Sequence, residues 1–130
     1  MRVLIDTNAY TALLTGDDRI ARVLDESDAV LLSSIVLGEL YDGFLGGGRN
    51  EDNLRILARF REKPRTAVVP VSDTTAEWFA HLKQLLRRNG TPIPINDVWI
   101  AASCMEHGAA LISYDTHFAA IEGLLVRPAR

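Results

Sequence analysis

MRVLIDTN, residues 1–8, places an uninterrupted apolar run directly before an acidic residue. A continuous apolar run, rather than an alternating one, is typical of a strand that is buried on both faces of a parallel sheet. Four further apolar stretches have the same character, and strands are therefore expected at 2–5, 29–33, 67–71, 109–113 and 124–126. Pro70 cannot donate to a central ladder, so the third strand is expected at an edge of the sheet.

Capped and amphipathic segments separate these strands and predict helices. In the first half of the chain, helices are expected from Asp6 or Thr7 to Leu14, over about 17–26, from Ile35 to about Leu45, and over 51–62. In the second half, they are expected from Thr74 or Thr75 to Asn89 and from Asp97 to His107, with a helical turn at 116–120. Ser34 is the predicted cap of the helix from Ile35, and Asn96 is the predicted cap of the helix from Asp97. This alternation predicts an α/β protein whose central, mostly parallel sheet is flanked by helices in three layers. With 130 residues, the chain is expected to form a single domain, 1–130.

Composition narrows the class of protein. The chain is 48% hydrophobic, yet no apolar run approaches the ~18 residues that span a membrane. MRVLIDTN reaches an acid too soon for a secretory signal, and the single cysteine cannot form an internal disulfide, so a cytoplasmic setting is expected. Cys104 lies in the apolar stretch DVWIAASCM and is expected to be a buried small hydrophobe rather than a nucleophile.

Four acidic residues stand beside apolar segments: Asp6 in VLIDTN, Glu39 in IVLGELYDG, Asp97 in PINDVWIAA and Asp115 in LISYDTHF. Carboxylates rarely border a core unless something pairs with them. Asp6 and Asp115 follow predicted strands, whereas Asp97 and Glu39 lie near the starts of predicted helices. Because ligands of open α/β sheets bind beyond the carboxyl ends of the strands, all four are expected at one rim.

Separate explanations exist for three of these acids. Asp6 and Asp97 lie near predicted helix starts, where the helix macrodipole favours acidic residues. Asp115 fits an ordinary turn residue. Glu39 is harder to explain in this way, because it interrupts the apolar segment SIVLGEL. The convergence of four acids on one rim favours a common site.

A hard divalent cation would relieve the repulsion within such a site. No Cys/His spacing suggests zinc, and all-oxygen ligation predicts Mg²⁺, with Mn²⁺ also possible. Thr7, Asn8 and Ser113 are neutral hydrogen-bonding residues beside the acids and are expected to orient the ligands, although Thr7 and Ser113 equally fit a helix cap and a strand-end hydroxyl. His117 is close to Asp115, and its role is left open.

The net charge of −3 argues against a nucleic-acid partner at first. Bound divalent ions would cancel part of the negative charge, and the cations are clustered. One cluster contains Arg55, Arg59, Arg61, Lys63 and Arg65, and the other contains Lys83, Arg87 and Arg88. Taken alone, each cluster is more simply explained as a solvated helix face, and both also fit contacts with a phosphate backbone.

Four motifs in order, DTN after the first strand, GELYDG on the third helix, NDVWIAA and the S-x-D-x-x-F of SYDTHF, resemble the PIN-domain family, and within it the VapC toxins of toxin–antitoxin pairs. The resemblance extends over nearly the whole chain. It implies a metal-dependent endoribonuclease whose acids match Asp6, Glu39, Asp97 and Asp115. Ser113 stands where the family often has Thr, and Thr116 and His117 stand where some members carry a further acid.

The resemblance also implies partners. Such toxins form homodimers and are held inactive by a small VapB-type antitoxin that lies in a groove near the acids, so operator DNA would be contacted by the antitoxin and not by this chain. Two apolar sets are candidates for that groove and equally fit core packing: Tyr10, Leu13 and Leu14, and Tyr41, Phe44 and Leu45.

The function expected from the sequence is therefore a Mg²⁺-dependent endoribonuclease that acts as a toxin and hydrolyses structured RNA, with transfer RNA and ribosomal RNA both open as targets. One alternative is a PIN-like module that binds RNA or a partner without cutting. Another is a phosphotransferase that uses an aspartyl-phosphate, but Asn8 stands where such enzymes typically have a second acid.

Overall fold

The computed structural model describes residues 1–128 and contains one five-stranded sheet. All the strand pairs are parallel, and the order is β3-β2-β1-β4-β5. The strands are β1 (Arg2–Ile5), β2 (Ala29–Ser33), β3 (Thr66–Val69), β4 (Ala110–Ile112) and β5 (Val126–Arg127). The parallel α/β sheet predicted from the apolar runs is confirmed. The third strand is the outermost on its side, as expected, but it covers Thr66–Val69 and ends before Pro70, and not at residue 71 as predicted.

Six α-helices connect the strands within residues 1–128: α1 (Thr7–Leu14), α2 (Asp18–Glu26), α3 (Ser34–Gly46), α4 (Asn50–Arg61), α5 (Asp73–Arg88) and α6 (Ile95–His107), with a short 3₁₀ helix at Thr116–Ala120. Two predicted helix caps are wrong. Ser33, not Ser34, caps α3, and its hydroxyl accepts from the Val36 N–H at 3.1 Å. Asn96 does not cap α6, because that helix already begins at Ile95 after Pro94.

The core lies on both faces of the sheet, as continuous apolar strands require. Leu4 and Ile5 of β1 and Leu111 and Ile112 of β4 are fully buried, and they pack among apolar residues of the surrounding helices. Cys104 of α6 is 1% exposed, and burial raises the pKa of its thiol far above the usual range. The prediction that Cys104 is a buried apolar residue is confirmed. Among the described residues, no helix combines the length and apolar character needed to cross a bilayer.

The strand order reverses between β1 and β4. From β1 the chain proceeds to β2 and β3 on one side, and it then crosses to β4 and β5 on the other. Such a switch point opens a crevice at the carboxyl ends of the two central strands, which is where ligands of open α/β sheets bind. The backbone N–H of Asp6 donates to the Ile112 carbonyl at 3.1 Å, so the ends of β1 and β4 are held together at this crevice.

Candidate active site

Asp6 occupies the end of β1 and is the N-cap of α1. Its Oδ1 accepts from the Ala9 N–H at 2.8 Å, and only 6% of the residue is exposed. Burial raises the pKa of this carboxyl, hydrogen bonds from the Ser113 hydroxyl and the Ala9 N–H lower it, and the charges of Asp115 and Asp97 raise it again. The net effect is a raised pKa, so the ionised form of Asp6 is left short of compensating positive charge.

Asp115 follows β4 across the crevice. It caps the 3₁₀ helix, where its Oδ1 accepts from the His117 N–H at 2.9 Å, and its own N–H donates to the Ser113 hydroxyl at 2.9 Å. The Ser113 hydroxyl therefore holds the Asp115 backbone, and it lies near enough to Asp6 to lower the pKa of that carboxyl. Ser113 is 2% exposed, so this hydroxyl and the Asp115 N–H that it accepts from have fixed positions at the end of β4.

Asp97 lies in the first turn of α6 and faces the same crevice. Its Oδ2 is 3.3 Å from Nδ1 of His117, and that nitrogen is also 3.1 Å from Oδ1 of Asp115. Burial raises the pKa of Asp97, the hydrogen bond to His117 lowers it, and the charges of Asp115 and Glu39 raise it. One ligand atom each from Asp97, Asp115 and His117 lie within 4.8 Å of one another.

Glu39 projects from α3 and is held by two neutral residues. The Thr7 hydroxyl donates to its Oε1 at 2.6 Å, and the Asn96 side-chain amide donates to its Oε2 at 3.3 Å. These bonds join α3 to the starts of α1 and α6. Both carboxylate oxygens are thus oriented, and the charge of Glu39 is near enough to Asp97 to raise the pKa of that residue.

The structure brings all four sequence-predicted acids to the one rim. Thr7 bonds to the Glu39 carboxylate and the Ser113 hydroxyl accepts from the Asp115 N–H, whereas the exposed Asn8 makes no side-chain hydrogen bond within residues 1–128. Two contributors were missed or left open by sequence reasoning. Asn96, predicted as a helix cap, instead donates to Glu39, and the contact between His117 and Asp97 joins segments 20 residues apart. The N-D dipeptide at 96–97 was the available signal for Asn96.

Positive charge is scarce at this rim. Within residues 1–128, His117 is the one basic side chain that lies within ion-pair distance of any of the four acids. A divalent cation would compensate clustered carboxylates that have no lysine or arginine partner, and the raised pKa values of Asp6 and Asp97 fit such a site. The donors are mainly carboxylate oxygens, which suit Mg²⁺ and Mn²⁺, so the residues present fit such an ion.

Comparison with known proteins gives the same family as the order of the motifs and the fold indicate. Residues 3–124 match the PIN domain family. The chain belongs to the PIN-domain family. Among curated PIN-domain relatives, ribonuclease VapC5 of Mycobacterium tuberculosis is 31% identical over 92% of this chain and 87% of its own length. Ribonuclease VapC4 of the same organism is 33% identical over 69% of each chain.

Several solved structures of similar chains are VapBC toxin–antitoxin complexes. A chain of VapBC2 from Rickettsia felis, bound to a DNA fragment from its promoter, superposes with a TM-score of 0.86 at 25% identity and 98% coverage of both chains. A chain of VapBC-1 from nontypeable Haemophilus influenzae gives a TM-score of 0.86 at 26% identity, covering 98% of this chain and 97% of that one. The PIN-like architecture predicted from the sequence is confirmed.

Proposed function

We propose that this chain is a VapC-type toxin, a metal-dependent endoribonuclease that acts as a single PIN domain over residues 1–130. The observation that carries the proposal is the convergence of Asp6, Glu39, Asp97 and Asp115 at the switch between β1 and β4. The 31% identity to a curated ribonuclease over 92% of the chain supports the nuclease assignment independently of that geometry.

The four acids would hold Mg²⁺, or Mn²⁺, with Asp97 and Asp115 as the pair whose oxygens lie close together. When bound, such an ion activates a water molecule and stabilises the charge that develops on a phosphodiester. The chain's own residues prepare this centre. The Ala9 N–H holds Asp6, the Ser113 hydroxyl holds the backbone of Asp115, and Thr7 and Asn96 hold Glu39, so that the site needs little reorganisation.

Phosphate groups of RNA would meet the positive charge at the end of α5. Lys83 and Arg87 line a cavity of about 170 Å³ together with Val98, the neighbour of Asp97. Neither they nor Arg88 form an ion pair within residues 1–128. The other predicted cluster is largely engaged in intramolecular contacts, since Arg55 pairs with Asp52 and Arg65 bonds to the Ser27 carbonyl. RNA is therefore expected to approach along α5.

The proposed partner is a small VapB-type antitoxin that blocks the acidic site. The toxin itself would be a homodimer. It would act in the cytoplasm, where RNA and a newly made antitoxin are both present. Several of the similar solved structures are VapBC complexes, which supports such a partner. Leu14 and Leu45 are 46% and 74% exposed and remain candidates for an antitoxin surface, whereas Tyr10 is 1% exposed and belongs to the core. Recognition of operator DNA would belong to the antitoxin.

The proposal is tested by incubating the purified protein with total cellular RNA and sequencing the new 5′ ends. Cleavage at a defined site is expected with Mg²⁺ or Mn²⁺ and none with a chelator. Asp97→Asn is expected to abolish cleavage, and Asp73→Asn, which changes an exposed acid at the start of α5, is the matched control that should keep it.

Cleavage that persists in a chelator, or in Asp97→Asn, would contradict a metal-dependent nuclease. Metal binding without cleavage of any RNA in the pool would instead support a non-cleaving PIN-like module. A radioactive phosphoryl group trapped on Asp6 would support the phosphotransferase alternative.

A further inference from the structure

His117 is the basic residue at the acidic rim, and nothing in the proposed function gives it a task. Its backbone is fixed from two sides. The His117 N–H donates to Asp115 Oδ1 at 2.9 Å, and the next residue, Phe118, is anchored in the core with 1% exposure. The side chain is half-exposed and faces the two carboxylates of Asp97 and Asp115.

A hydrogen bond explains only part of this arrangement. Nδ1 is 3.3 Å from Asp97 Oδ2 and 3.1 Å from Asp115 Oδ1, yet a ring nitrogen carries at most one hydrogen. It can therefore satisfy one carboxylate oxygen well but not both. Asp115 Oδ1 already accepts from the His117 backbone, so the ring nitrogen is not needed as its donor.

The spacing of the three donors also suits a shared cation. Ligand atoms ~2.1 Å from an octahedral ion and at right angles to one another are ~3 Å apart. The two nitrogen–oxygen distances of 3.1 and 3.3 Å are close to that separation, and all three donor atoms lie within 4.8 Å of one another. Two carboxylate oxygens and one imidazole nitrogen can therefore occupy neighbouring positions around one ion.

We propose that Nδ1 of His117 is a metal ligand beside Asp97 and Asp115, and that it makes this centre bind Mn²⁺ in preference to Mg²⁺. The inference rests on the proposed metal-dependent function and adds a specificity-determining residue to it. Mg²⁺ takes oxygen ligands almost exclusively and keeps its waters, whereas imidazole is a good ligand for transition ions. A nitrogen ligand therefore adds more affinity for Mn²⁺ than for Mg²⁺.

The direct test is electron spin echo spectroscopy of the Mn²⁺-loaded protein. A coordinated imidazole gives a ¹⁴N modulation, which is expected in the wild type and should change to the ¹⁵N pattern when the protein is made with [¹⁵N]histidine. His117→Asn should lose the modulation. His81→Asn, which changes an exposed histidine of α5, is the matched control and should keep it.

Calorimetry supplies a second readout that does not depend on RNA cleavage. His117→Asn is expected to weaken Mn²⁺ binding by about tenfold or more, as loss of a metal-site partner typically does, and to change Mg²⁺ binding much less. Equal changes for both ions, or a wild-type protein without nitrogen modulation, overturn the ligand role and leave the nuclease proposal intact. A wild-type protein that binds neither ion overturns both.

Discussion

The Thr7 hydroxyl donates a hydrogen bond of 2.6 Å to Oε1 of Glu39, across 32 residues of sequence. Thr7 opens α1 directly after Asp6, so one bond links the acid on α3 to the helix that starts at the end of the central strand. The orientation of Glu39 at the rim is thus coupled to the position of β1, which is the central strand of the sheet.

Replacement of Thr7 should show how much this orientation matters. Thr7→Val keeps the shape of the side chain and removes the donor, so we expect single-turnover RNA cleavage to slow by about tenfold, the lower end of typical losses around metal sites. Thr7→Ser should restore most of the rate. Thr11→Val is the matched control, because that hydroxyl bonds only to the Thr7 carbonyl of its own helix. A wild-type rate for Thr7→Val would mean that Glu39 needs no such support.

Asp6 has a structural task as well as a proposed chemical one, and two substitutions separate them. Asn can keep the cap on the Ala9 N–H and removes the charge, whereas Ala removes both. Both variants should lose cleavage, but Asp6→Ala should lose about 1 kcal/mol more of unfolding free energy than Asp6→Asn, the typical contribution of an N-cap. Urea denaturation in a chelator measures this difference. Equal stability of the two variants would show that the cap contributes nothing.

Asp97 should make stability depend on pH and on metal. Its pKa is raised in the fold by burial and by neighbouring acids, so the folded protein is favoured at low pH and loses stability as the pH rises through the folded pKa. In a chelator at pH 7.5, Asp97→Asn should therefore be more stable than the wild type. That advantage should vanish as the pH falls toward the ordinary value of 3.8.

Addition of Mn²⁺ at pH 7.5 should reverse the order of stability, because the ion binds the folded wild type and stabilises it by mass action. Thermal unfolding of both proteins, with and without the ion, is the measurement. An Asp97→Asn variant that is less stable than the wild type in a chelator would contradict the raised pKa.

The Tyr10 hydroxyl is buried and has no hydrogen-bond partner within residues 1–128, while the ring packs edge-on against Phe60 at 5.3 Å. Tyr10→Phe removes an unsatisfied polar group and keeps this ring contact. We expect the unfolding free energy to rise by about 1 kcal/mol, the lower end of the cost of an unpaired buried group. Tyr41→Phe, at a hydroxyl that bonds to Arg61, is the comparison and should give no gain. A loss of stability in Tyr10→Phe would reveal a partner for the buried hydroxyl.

The apolar runs predicted the sheet because strands buried on both faces have a signature that needs no tertiary information. Asp6 and Asp115 could be placed at the rim for the same reason, since each follows such a run. The first residue of each helix was harder to predict from the sequence. Two adjacent serines, Ser33 and Ser34, can each cap α3, and only the geometry of the Val36 N–H selects Ser33.

Local sequence patterns could not predict the contacts that side chains make across the rim. Asn96 bonds to Glu39 over 57 residues, and His117 reaches Asp97 over 20. Neither distance follows from periodicity or capping rules, because it depends on how far α3, α6 and the loop after β4 project beyond the sheet.

Because Cys104 is buried and is the single cysteine of this chain, its rate of alkylation reports how often the surrounding structure opens. An alkylating reagent reaches a thiol that is 1% exposed only when α6 separates from the sheet. The labelling rate therefore counts openings of the helix that carries Asp97. Any ion, RNA or antitoxin that holds this helix in place would slow the label, whether or not RNA is cut.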